Sequence, residues 1–204
     1  MPKKVDHEAR RLEIAEALLR IAGTRGLDGV SLRDVAAEAD ISLGRLQHYF
    51  RTKDEMLLFA LRHINTLADA RIRERIAAAG GENGEAPPPR TVLRECLVGM
   101  LPLDDKSRVG TLVGAAYFAR AVHDDRLAGE AREGIPKLAA LLAELLRQSG
   151  LGEGRDADDE AMRLISLVDG LTAYTLLGVQ TGRAALRLLE GYLDGLLPPD
   201  PTPS

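Results

Sequence analysis

Apolar residues recur at three- and four-residue steps along most of the chain, the mark of amphipathic helices. Ile14, Leu18 and Ile21, with Ala15 and Ala22, make one stripe and predict a first helix from about residue 6 to 25. Gly26 ends it and Asp28-Gly29 turns the chain. Ser31 caps a second helix, with Asp34 as its reciprocal partner and Val30 placed to staple onto Val35. Its inward face is Leu32, Val35, Ala36 and Ala39. Asp40 interrupts the pattern, Ile41 plugs the turn, and Ser42 caps a third helix whose Leu46 and Phe50 point inward. Ser42, Leu43, Arg45, Gln47, His48 and Tyr49 are left facing outward. Thr52-Lys53-Asp54-Glu55 is a third capping signature. It opens a fourth helix of about 26 residues, roughly 39 Å long, which can join two domains.

Beyond Gly80 to Pro89, a flexible linker or exposed loop by composition, helical periodicity returns over 90–102, 105–122, 124–149, 158–181 and 183–197. The breaks fall at Pro102, Asp124-Asp125, Gly150 to Arg155 and Thr181-Gly182. No stretch alternates as a strand does, so the expected fold is all-α with about nine helices. A winged helix is excluded, because a helix occupies the place of the wing. The tail 198–204, rich in proline, is expected to be disordered.

The chain of 204 residues has 45% hydrophobic and 28% charged residues, as an ordinary globular protein does. With aromatics at 3%, the bias favours helix over strand. One cysteine, Cys96, makes neither an internal disulfide nor a thiolate zinc site, which fits a reducing cytoplasm. Neither a signal peptide nor a membrane span is predicted, and no cofactor or metal is expected.

A net charge of −4 argues at first against a nucleic-acid partner. Residues 1–55 balance ten basic against ten acidic residues, however, leaving 17 basic and 21 acidic for the rest. Residues 42–53 carry Arg45, His48, Arg51 and Lys53 and no acid, so any footprint on phosphate is local. A short polar third helix propped by a second is the form of a helix-turn-helix over residues 31–50. Arg45 is suited to guanine and Gln47 to adenine in a major groove of double-stranded DNA. Gly44 leaves room for close approach. Lys53, at a helix amino terminus, is placed for a phosphate. Lys3, Lys4, Arg10 and Arg11 could form a basic arm.

The run Gly-Leu-Asp-Gly-Val-Ser-Leu-Arg-Asp-Val-Ala, followed by Ile-Ser-Leu-Gly-Arg-Leu-Gln-His-Tyr-Phe and Thr-Lys-Asp-Glu, resembles the amino-terminal domain of the TetR/AcrR family of transcriptional regulators. The likeness covers residues 8–68 closely. It implies phosphate contacts by His48 and Tyr49 and a groove-edge place for Arg33. It further implies a ligand-binding and dimerisation domain over 69–197. Met100, Tyr117, Phe118, His123, Asp169 and Tyr174 are candidate lining residues for a small-molecule effector. The eighth and ninth helices of such proteins pair across a two-fold axis, so Leu164, Val168, Leu171, Thr175, Leu186, Leu189 and Leu193 are the expected homodimer contacts. Leu167-Val-Asp-Gly-Leu171 resembles a local pattern of the choline-responsive repressor branch. An enzyme is not expected: four His, one Cys and no Ser-His-Asp or Glu-x-x-His pattern leave little for a catalytic site. A helical ligand-binding or interaction protein without a DNA role is the other reading, and it leaves the polar third helix unexplained.

Overall fold

The computed structural model describes residues 2–80 and 86–197, which form nine helices and no strand among the described residues. They are α1 (Pro2–Arg25), α2 (Leu32–Glu38), α3 (Leu43–Tyr49), α4 (Lys53–Ala78), α5 (Pro89–Gly99), α6 (Asp105–Ala121), α7 (Asp125–Gln148), α8 (Ala157–Leu176) and α9 (Gly182–Leu196). No described helix is long and apolar enough to cross a membrane. The predicted disordered tail and residues 81–85 of the predicted linker lie outside the described residues.

The chain divides into two compact units, Met1–Leu67 with Asp104–Gly129, and Ala68–Leu103 with Glu130–Ser204. Helices α4 and α7 each contribute residues to both. The first unit has its own core: Ile14, Leu18 and Ile21 of α1 meet Val35, Leu46, Phe50, Met56 and Leu57. It also takes in α6, which the sequence analysis assigns to the second domain. Val113, Tyr117 and Ala121 of α6 are buried in this core, and the Tyr117 hydroxyl donates to the carbonyl of Leu127. The backbones come close because two glycines lack a side chain. A Cβ on Gly110 would stand 2.9 Å from Ile64 Cγ2, and one on Gly23 would stand 2.9 Å from Val109 Cγ2.

The second unit packs Leu93 and Leu97 of α5, Leu142 and Leu146 of α7, Leu164 and Val168 of α8, and Leu189 and Leu193 of α9 into a separate core. Ion pairs tie its rim. Glu95 receives Arg75 at 3.1 Å and Arg94 at 2.6 Å, and Arg94 also pairs with Glu190. Helix α8 stops at Leu176, earlier than its periodicity predicts. Gly178 takes φ 74°, and Val179 N–H closes on the Tyr174 carbonyl at 3.0 Å, so a left-handed cap ends the helix.

Candidate nucleic-acid interface

Side-chain and backbone caps set the bounds of the helix-turn-helix. Ser31 Oγ accepts from Asp34 N–H at 3.3 Å while Asp34 Oδ2 accepts from Ser31 N–H at 2.8 Å, completing the expected capping box. The Ser31 hydroxyl also donates to Asp34 Oδ2 at 2.6 Å, and this bond first, then that from the Ser31 N–H, pulls the Asp34 carboxyl down to about 2. At the other end of α2, Asp40 adopts φ 53°. Ile41 N–H reaches the Ala36 carbonyl at 3.0 Å and Asp40 N–H the Ala37 carbonyl at 3.2 Å. The pair of bonds is a Schellman motif, which makes the turn tight. Ser42 Oγ then accepts from Arg45 N–H at 3.2 Å and starts α3.

Helix α3 is anchored from behind by Leu46 and Phe50, both fully buried. Ser42, Gly44, Arg45, Gln47 and His48 are exposed, as is Arg33 of α2, while Leu43 and Tyr49 are half-buried. The exposed positions of α3 lie opposite its buried Leu46 and Phe50 and form one edge. Tyr49 also packs on the core, so only part of its ring is presented to solvent. Lys53 is half-buried, and its Nζ donates to the Leu27 carbonyl at 3.3 Å. An ammonium carries three donors, so two remain for an anion. Thr52 Oγ1 caps α4 by accepting from Glu55 N–H at 3.1 Å.

Of the four residues of the expected basic arm, Arg10 and Arg11 make contacts within the chain. The Arg11 guanidinium lies 4.5 Å from the ring centroids of both Phe50 and Phe59 and bonds Glu55 at 3.2 Å. Arg10 pairs with Glu13. Cation–π contact with two rings of the core makes Arg11 a brace for α3. The side chains of Lys3 and Lys4 lie outside the described residues. One residue the sequence reading passed over joins the edge: His7 of α1 packs its ring against Tyr49 at 4.9 Å between centroids. The signal was its place one turn before Arg11.

Five of the seven expected dimer contacts are buried within the second unit. Leu164, Val168, Leu171, Leu189 and Leu193 are at most 5% exposed and belong to the unit's own core. Leu186 packs partly on that core, and Thr175 Oγ1 donates to the Leu171 carbonyl at 2.8 Å. The stripe most apolar in sequence is the one the protomer buries itself. A second stripe is open: Met162, Ser166 and Ala173 on α8 and Leu177 at its cap, with Leu188, Gly191, Tyr192 and Gly195 on α9, are exposed. Asp159, Met162, Arg163, Ser166, Leu167 and Tyr192 line a shallow groove on that surface.

The six candidate effector residues are divided between the units. Tyr117 is a core residue of the first, where Phe118, at 63% exposed, and His123 face solvent. In the second, Met100 is half-buried, and Tyr174 and Asp169 are exposed. Desolvation nonetheless raises the Asp169 carboxyl above its ordinary value. No one unit gathers all six. Among the described residues no three His, Cys, Asp or Glu side chains group to hold a metal ion.

Comparison with known proteins agrees with this geometry. Residues 14–60 match the model of bacterial regulatory proteins of the tetR family, and residues 89–198 match that of the BetI-type transcriptional repressor carboxy-terminal domain. The HTH-type transcriptional regulator PksA of Bacillus subtilis is 38% identical over 178 residues, covering 87% of this chain and 83% of PksA. The regulator BetI of Burkholderia cenocepacia is 33% identical over 204 residues, covering 98% of this chain and all (100%) of BetI. A transcriptional regulator from Rhodococcus superposes with a TM-score of 0.77 at 30% identity, over 91% of this chain and 95% of its own. A regulator from Saccharomonospora viridis, solved with choline, shares the fold with a TM-score of 0.81 at 23% identity, over 94% and 99% of the two chains.

Proposed function

Because the chain belongs to the TetR family of bacterial transcriptional regulators, with a BetI-type carboxy-terminal domain, we propose that it acts as a homodimeric, cytoplasmic repressor of a palindromic operator and is released by a small-molecule effector. One observation carries the operator reading. Helix α3 is capped at its start and pinned by Leu46 and Phe50, which leaves Ser42, Arg45, Gln47 and His48 exposed together. Arg45 and Gln47 are assigned to base edges. His48, Tyr49 and Lys53 are assigned to phosphates, with Arg33, Leu43 and Gly44 at the groove edge.

A single short helix reads too few base pairs for useful specificity, so two heads about one helical turn apart (~34 Å, or multiples) are required. The exposed stripe of Met162, Ser166, Ala173 and Leu177 with Leu188 and Tyr192 is assigned to the two-fold interface, in place of the buried leucines. Small residues on it, Gly191 and Gly195 among them, let helices of two protomers approach. The effector shifts a two-state equilibrium through α4, which has residues in both units. A coupling of about 1–3 kcal/mol weakens operator affinity roughly five- to 150-fold.

Selection of bound sequences from random duplex DNA tests the reading. A palindromic winner with steep salt dependence is expected. Folded protein that enriches no sequence overturns the operator assignment in favour of a helical binding protein without a DNA role.

A further inference from the structure

Helix α1 brings an imidazole to the edge of α3 that core packing does not demand. His7 is exposed, and its ring centroid lies 4.9 Å from that of Tyr49 and 6.2 Å from that of His48. The His48 and Tyr49 rings are themselves 5.3 Å apart, edge to face. Three polar rings from two helices thus converge at the rim of the α3 surface. The described basic groups one turn further along α1 have other partners. Arg11 lies over Phe50 and Phe59 and bonds Glu55, while Arg10 pairs with Glu13. Glu55, the acid contributed here by α4, accepts from Arg11 and from the Arg51 N–H at 3.0 Å.

We propose that His7 contacts an operator phosphate, closing with His48 and Tyr49 a backbone clamp built from α1 and α3. The inference rests on the operator reading above. The contact is that of the imidazolium, whose N–H donates a charge-assisted bond to a phosphate oxygen. Only the protonated form neutralises a phosphate and releases a counterion, so the contact is written in the salt dependence of binding. His48 and Tyr49 of α3 face the ring, and Arg10 and Arg11 lie one turn further along α1, with Arg11 bonded to Glu55 of α4. Histidine changes charge between about pH 5 and 8, which makes the clamp tighter on the acid side.

The test uses the full chain and the duplex enriched by selection. Affinity is measured by fluorescence anisotropy across a sodium chloride series at about pH 6 and about pH 8. His7→Ala is expected to reduce the slope of log affinity against log salt by about 0.9 per protomer at the lower pH and by much less at the higher. His7→Lys is expected to keep the wild-type acid slope at both pH values. A His7→Ala slope unchanged at about pH 6 overturns the contact, even if affinity falls, because that pattern belongs to lost packing against Tyr49. If wild type binds meanwhile and Arg45→Ala does not, the operator reading stands without the clamp. Wild type that binds no duplex overturns both.

Discussion

The hydroxyl of Tyr192 on α9 donates to the carboxylate of Glu160 on α8 at 3.0 Å, beneath a surface that leaves Glu160 only 2% exposed. Arg155 at 3.0 Å and Arg163 at 2.7 Å complete its partners. Burial alone would raise this carboxyl, but the bonds from Tyr192, Arg155 and Arg163 outweigh it and hold the group below its ordinary value. The charge is therefore kept, and it fixes Tyr192 at the rim of the exposed groove.

Glu160→Gln keeps the shape and removes the charge. Both arginines are about half exposed and can rehydrate, so the loss falls short of that for a fully buried pair. About 2 kcal/mol is expected, or a fall in Tm of about 4–8 °C. The sign with pH follows from the depressed value. The contribution is fully present above the unfolded carboxyl value near 4.3 and is lost as pH falls through the lower folded value. Urea denaturation at fixed protein concentration should show wild type losing this increment below about pH 4, with Glu160→Gln flatter there. Equal midpoints at neutral pH would remove the stabilising role.

Leu188, 55% exposed, and Leu177, 74% exposed, belong to the stripe assigned to the two-fold interface. Leu188→Arg places a charge in an apolar contact without touching the protomer's own core. Monomeric protein with wild-type helix content is the expected outcome, read by sedimentation and circular dichroism. Operator affinity should fall with it, because a palindrome needs two tethered heads. A Leu188→Arg protein that stays dimeric moves the interface elsewhere.

The features legible in the sequence are those that local chemistry decides. The caps at Ser31 and Ser42 need only a hydroxyl and free N–H groups within one turn, and Leu46 and Phe50 are marked by their spacing. What the apolar face of α8 packs against was not legible. Leu164 and Val168 suit a two-fold interface as well as the protomer's own core, where they lie. Burial is settled by α5, α7 and α9, which the helix's own periodicity does not encode. The place of α6 was hidden for the same reason, since it depends on Gly110 meeting Ile64 and on Tyr117 reaching Leu127. Arg11 looked like a surface charge because its aromatic partners lie about forty residues along the chain.

Gly110 measures how closely α6 and α4 approach in the first unit. A methyl there would stand 2.9 Å from Ile64 Cγ2, closer than packed carbon atoms lie. Alanine ordinarily favours helix over glycine by about 1 kcal/mol. Here overpacking of about 1–3 kcal/mol should cancel that gain or exceed it. Gly110→Ala is therefore expected to be neutral to destabilising in thermal unfolding, whereas Gly114→Ala, with open space at its Cβ, should stabilise. A clear stabilisation by Gly110→Ala would mean that the helices separate easily.

Lys53 joins stability to recognition, and two substitutions separate the roles. Its Nζ holds the Leu27 carbonyl at 3.3 Å, so Lys53→Ala should cost about 1 kcal/mol in unfolding. As a phosphate ligand it should weaken all bound duplexes about equally and lower the salt slope by about 1 per protomer. Arg45→Ala should behave differently. It removes an exposed side chain and leaves folding unchanged, yet it should cost about 1–3 kcal/mol of discrimination at one base pair per half-site. Measuring both variants against the selected duplex and its single-base changes distinguishes backbone from base contact. If Lys53→Ala loses stability but keeps the wild-type salt slope, the lysine only latches the turn at Leu27. Phosphate recognition would then fall to His48, Tyr49 and the α1 edge.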